Sequence, residues 1–168
     1  MDSARDFLDI YLNDHLAGAT AGSNLAHRLA QAEGGDLGAE LARLDREIAD
    51  DRDDLVRLMA ELGISAKRYK VALGWVAEKA GRLKSNGYLL RRSPLSTVLE
   101  LEALCAGVQG KLAGWDALEA ALTDPAHMAT LERLRTRAEE QLRTFSALHR
   151  RVAATVLVPE GSAVPVAR

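Results

Sequence analysis

The chain has 168 residues, 48% of them apolar and 27% charged, with a formal net charge of −2. That length suits one domain with a sizeable core, and the near-balanced charge implies neither a nucleic-acid surface nor an acidic tail. A single cysteine, Cys105, excludes an internal disulfide and a cysteine-based zinc site.

The N-terminal stretch MDSARDFLDIYLNDHL lacks the basic start and apolar run of a signal peptide. No window approaches the ~20 apolar residues that cross a bilayer. The expectation is a cytoplasmic protein without nucleic acid or membrane as partner. Ala and Leu dominate and aromatics are scarce, which favours closely packed helices over sheets.

Ser3 is a suitable N-cap for a first helix over about Ala4 to Ala32. Its inner stripe reads Leu8, Leu12, His15, Ala19, Gly22, Ala26, Leu29, small in its second half and with a histidine at a core position. Gly18 and Gly22 each weaken an isolated helix by about 1 kcal/mol relative to Ala, and they let a neighbour approach closely. Glu33-Gly34-Gly35-Asp36 breaks the helix, and so short a turn predicts an antiparallel pair.

Gly38 to Gly63 carries the second helix on Leu41, Leu44, Ile48, Asp51, Leu55, Leu58, Leu62. Asp51 interrupts that stripe, with Glu47, Asp50 and Asp54 around it. A carboxylate on a packing face has to be paired, protonated or metal-bound. Folding the hairpin about residue 35 puts Ala19 level with Asp51 and His15 level with Leu55, so His15 and the Asp51/Asp54 carboxylates fall within about one helical turn. Either His15 or Lys111 is expected to balance Asp51.

Gly63 ends this helix with Ile64 as the apolar contact of its cap. A third, shorter helix is expected over Ala66 to about Lys84, followed by a loop, Ser85 to Arg92. Ser93-Pro94 starts a fourth helix, to about Leu122, on Val98, Leu101, Cys105, Val108, Leu112, Trp115, Leu122. A second row on it, Ala103, Gly107, Gly110, Gly114, Ala117, Ala121, is made only of small residues and predicts a close helix contact, against the first helix or across a dimer. Cys105 reads as a small core residue. Asp124-Pro125 turns into a fifth helix, about Ala126 to Val156, on Leu131, Leu134, Ala138, Gln141, Phe145, Leu148, Val152, with Gln141 polar in the seam. The expected organisation is one helical-bundle domain over 1–156 and a loose tail over 157–168.

A P-loop, a dinucleotide-binding glycine motif, HExxH and an EF-hand loop are all absent. No Ser-His-Asp or Cys-His arrangement follows from spacing.

Leu12-Asn13-Asp14-His15-Leu16-Ala17 resembles the opening of the first helix in ferritin-like proteins. Leu44-Asp45-Arg46-Glu47-Ile48-Ala49-Asp50 through Leu58-Met59-Ala60-Glu61-Leu62-Gly63 is similar to their second helix. The order of long and short helices is closest to the small bacterial stress-associated ferritin-like proteins. The resemblance implies an all-α antiparallel bundle of four long helices plus one shorter helix. It also implies two iron or manganese ions, held by a Glu from each of two helices and a Glu-x-x-His from each of two others. Carried over by position, the first-helix Glu falls on Ala19, and the three acid motifs fall on Glu47-x-x-Asp50, Glu102 with Cys105, and Glu139 with Leu142. Every histidine of the pattern is replaced, leaving too few ligands, mostly oxygen, for a firm di-iron site.

Three functions remain open at this point. One is a non-catalytic, metal-free module acting as a homodimer, or with another protein, through the small-residue face. Another is an iron- or manganese-handling protein using His15, Glu47, Asp50, Asp51, Glu102 and Glu139. The last is a small-molecule carrier with a pocket between helices.

Overall fold

The computed structural model describes residues 3–67 and 92–158. Four helices carry them: α1 (Ala4–Ala32), α2 (Gly35–Glu61), α3 (Pro94–Ala121) and α4 (Pro125–Val156). No strand occurs among the described residues. The expected helix over 66–84, the loop after it and most of the tail lie outside the described residues, apart from the ends at 66–67, 92 and 157–158.

Local chemistry sets each boundary. Ser3 and Asp6 form a reciprocal capping box: the Ser3 hydroxyl accepts from the Asp6 backbone N–H at 3.3 Å, and the Asp6 carboxylate accepts from the Ser3 N–H at 2.7 Å. Ser93 and Asp124 cap α3 and α4 through Leu95 (3.3 Å) and Ala126 (2.8 Å), each with proline at the first helical position. The break after α1 is tighter than expected, and α2 begins at Gly35, three residues before Gly38. Gly38 is needed there, because a Cβ on it would stand 2.5 Å from the Glu33 carbonyl oxygen. At the far end Gly63 takes a φ of 67, Gly63 N–H donates to Ala60 at 3.0 Å and Ile64 N–H to Met59 at 2.8 Å. Buried Ile64 completes this Schellman stop.

The apolar stripes meet in one core containing Leu12, Leu41, Leu58, Leu101, Leu134 and Phe145. Cross-links fix the directions. His27–Asp45 and Thr20–Arg52 place α1 and α2 antiparallel; Glu33–Thr97 and His15–Gly114 do the same for α1 and α3. Glu61–His127 with Glu40–Arg151, and Glu119–Arg135 with Glu102–His149, make α4 antiparallel to both α2 and α3.

The chain leaves α2 beside the start of α1, where Arg5 donates to the Gly63 carbonyl at 2.9 Å and Lys67 N–H to Asn13 Oδ1 at 2.7 Å. It re-enters beside the end of α1, where Arg92 pairs with Glu100 and Thr97 Oγ1 donates to Glu33 at 2.6 Å. The two ends of the 68–91 stretch therefore lie at opposite ends of the bundle, about 30 Å apart along α1. As a consequence α2 and α3 run in the same direction.

The small-residue row of α3 departs from expectation. Only Gly114 is buried; Ala103, Gly107, Gly110, Ala117 and Ala121 are exposed, and a Cβ on Gly107 or Gly110 would meet no described atom within 4 Å. The row is therefore not a buried contact with α1. Gly114 is the member of the row that meets α1, where the His15 ring lies against it.

Candidate functional site

Asp51 sits where the interrupted stripe of α2 puts it, 3% exposed in the middle of the bundle. Its partners come from α3 and α4. The Lys111 ammonium donates to Asp51 Oδ2 and, at 2.6 Å, to Gln141 Oε1. Gln141, fully buried, returns its Nε2–H to Asp51 Oδ2 at 3.0 Å. The Arg137 guanidinium donates to Asp51 Oδ1 and reaches Asp54 Oδ2 at 2.5 Å. Asp54, one turn on and also buried, takes Arg57 on its other oxygen and Arg133 at 3.4 Å.

Each element supplies its side chain for a local reason. Asp51 and Asp54 are three apart and share the α2 face towards α4. Arg137 and Gln141 are four apart and share the α4 face towards α2. Lys111 follows Val108 on the core side of α3, and its stem runs inward with the ammonium at the centre. The seam between α2 and α4 has few close backbone approaches, because these long side chains fill it.

The electrostatics are those of a closed network. Two buried carboxylates face two internal cations, Lys111 and Arg137, with Arg57 and Arg133 at the solvent edge. Burial pushes the Asp54 carboxyl pKa up, but hydrogen bonds from Arg57 and Arg137 outweigh it and hold the group below its ordinary value. Burial lowers the pKa of Lys111 and the Asp51 carboxylate opposes that shift. Every oxygen of the pair is used.

His15 does not join this centre, contrary to expectation. Its ring packs on Gly114 and lies tilted against Tyr11 with the centroids 4.5 Å apart, and burial lowers its pKa from the ordinary value. The other proposed ligands are dispersed as well. Glu47 pairs with Arg43 along α2, Asp50 is exposed, Glu102 faces His149 at 3.1 Å and Glu139 faces Arg135 at 3.0 Å. The six are not brought together, and no group of three or more His, Cys, Asp or Glu residues able to hold a metal occurs among the described residues. The resemblance aligned Glu102 and Glu139 with metal ligands, but on these helices both lie on the outward side.

The sequence signalled Asp51 and Gln141, set Asp54 beside Asp51 and offered Lys111 as a partner; it missed Arg137. Cys105 is half-buried near Ser146 with its thiol pKa pushed up by burial, as suits a small core residue. The buried Trp115 indole N–H has no acceptor among the described residues. Surface depressions of about 440 Å³, along α4 at Arg133 and Arg137, and about 290 Å³, between α1 and α2 at Ser23 and Arg52, are shallow and open to solvent. Neither is the enclosed apolar pocket a carrier needs.

Comparison with protein-family profiles, curated proteins and solved structures gives no match. Among the described residues no helix is long and apolar enough to cross a membrane.

Proposed function

We propose that this chain is a ferritin-like helical bundle of the cytoplasm that acts as a non-catalytic structural or protein-interaction module, pairing with a second copy or with another protein. One end-to-end connection between two antiparallel hairpins supports the ferritin-like part, since that is how such bundles are strung. The closed charge centre supports the non-catalytic part, because it presents no free acid, base or nucleophile.

The observation that carries the interaction role is the outer strip of α3. Ala103, Gly107, Gly110, Ala117 and Ala121 are exposed among the described residues, and no charged side chain interrupts them. A surface helix ordinarily turns a polar face outward. Here one strip of the outward face, beside exposed Glu102 and Asp116, is smooth and small, which suits a helix arriving at short interaxial distance. Phe7 and Ile10 at the start of the neighbouring α1 are also exposed, at 61% and 49%.

Sedimentation of the wild type and Gly110→Glu at several concentrations tests the homodimer form. The expected result is self-association in the wild type that the variant loses while keeping its helical signal and Tm. Identical monomeric behaviour of the two, with equal Tm, removes the support this strip gives.

A further inference from the structure

An iron or manganese centre in a ferritin-like bundle needs carboxylates and imidazoles converging from all four helices. The Thr20–Arg52 hydrogen bond at 3.3 Å fixes which residues stand at the level of Asp51. Helix α1 offers Ala19, Ala21 and Gly22 about that level, none with a donor atom in its side chain. Helix α2 brings Asp51 and Asp54, α3 brings Lys111, and α4 brings Arg137 and Gln141. This donor set does not fit the metals. Two helices present cations where acids are required, and both oxygens of Asp51 already accept from them. A divalent ion entering here would meet an ammonium and a guanidinium that are tethered to the backbone and cannot be expelled.

We infer that Lys111, supported by Arg137, is the resident cation of this bundle: a side-chain ammonium standing where a metal would neutralise the facing carboxylates. The inference rests on reading the centre as closed, and deepens it by naming the residue that closes it. The side chains rank by access. Arg57 and Arg133 are more than half exposed and reach Asp54 from the rim, whereas Lys111 is 16% exposed and reaches Asp51 from inside. Lys111 also ties α3 to α2 and, through Gln141, to α4. Three helices are thereby joined at their middle by a charge the chain carries itself, independent of metal supply.

A cation held by a tether can be replaced by a free one once the tether is cut. Lys111→Ala leaves the Asp51 carboxylate facing a vacancy, whereas Lys111→Met fills the same space without charge. The full-length chain without a histidine tag is melted with propylammonium or Mn²⁺, against sodium chloride at equal ionic strength. Lys111→Ala is expected to melt below the wild type and to recover on adding either cation. At about ten times its dissociation constant, a cation that binds only the folded form raises Tm by about 3–6 °C in a chain of this size. Lys111→Met, and Lys111→Ala combined with Asp51→Asn, are expected to show no such rise. If Lys111→Ala is unfolded at rest, return of its helical circular dichroism on adding the cation is the readout. Failure of both cations to rescue Lys111→Ala, or equal rescue of Lys111→Met, overturns the inference. A Mn²⁺-dependent rise in the wild type that Asp51→Asn abolishes instead overturns the closed-centre reading on which it rests.

Discussion

The imidazole of His15 on α1 lies directly over the backbone of Gly114 on α3. A Cβ at residue 114 would stand 2.7 Å from His15 Cε1 and 2.9 Å from Nδ1. Real side chains essentially never approach so closely, so this glycine is the contact that lets the two helices meet. Gly114→Ala should therefore cost about 1–3 kcal/mol by overpacking. Gly110→Ala, in open space on the same helix, should instead gain up to about 1 kcal/mol from helix propensity. Urea unfolding of both variants checks the pair of signs, and a stabilised Gly114→Ala contradicts the packing described.

The same ring gives the protein a pH dependence. Burial depresses the pKa of His15 from its ordinary 6.5, with only Asp14 opposing. A base with a depressed folded pKa binds its proton more readily in the unfolded chain, so its contribution is intact above about pH 6.5 and is lost as pH falls through the folded value. Tm measured from pH 7.5 down to 5 should fall more steeply in the wild type than in His15→Gln. Parallel profiles would show that His15 is not held neutral by its surroundings.

Much of this architecture was legible in the residues. Ser3, Ser93-Pro94 and Asp124-Pro125 mark helix starts by chemistry that acts within four residues, and the structure starts α1, α3 and α4 there. Asp51 and Gln141 announced themselves by standing in apolar stripes. Arg137 did not, because it lies among charged residues of α4 and becomes central only through the lateral register of α4 against α2. Asp54 was visible as a neighbour of Asp51, but its pairing with Arg137 depends on the same register. The row of small residues on α3 was expected to be a close helix contact, yet only Gly114 is buried among the described residues, because composition does not say which element covers a face. His15 was placed one turn from Asp51 along the bundle, as the hairpin arithmetic requires. Its direction around α1, towards Gly114, follows from side-chain packing that spacing alone does not contain.

Asp54 predicts the acid limb of stability. Burial works against its charge, yet Arg57 and Arg137, helped by Arg133, hold its pKa below the ordinary 3.8. An acid with a depressed folded pKa contributes stability that is fully present above its unfolded value and is lost as pH falls through the folded one. Asp54→Asn should therefore be less stable than the wild type at pH 6, and the gap should shrink progressively below about pH 4. A gap that stays constant down to pH 2.5 would falsify the assignment of Asp54 to this ion network.

The direct test of the charge centre is a double-mutant cycle on Asp51 and Lys111, read by denaturant unfolding. Asp51→Asn alone leaves the buried Lys111 ammonium without its carboxylate and should cost roughly 3–5 kcal/mol if that charge stays in the core, whereas Lys111→Met alone leaves Asp51 with Arg137 and Gln141 and should cost less. The account predicts that the double variant costs clearly less than the sum of the two single losses, with a coupling of about 1–3 kcal/mol. Strictly additive losses would show that the two residues do not sense each other, and would contradict a bundle centre built on their pairing.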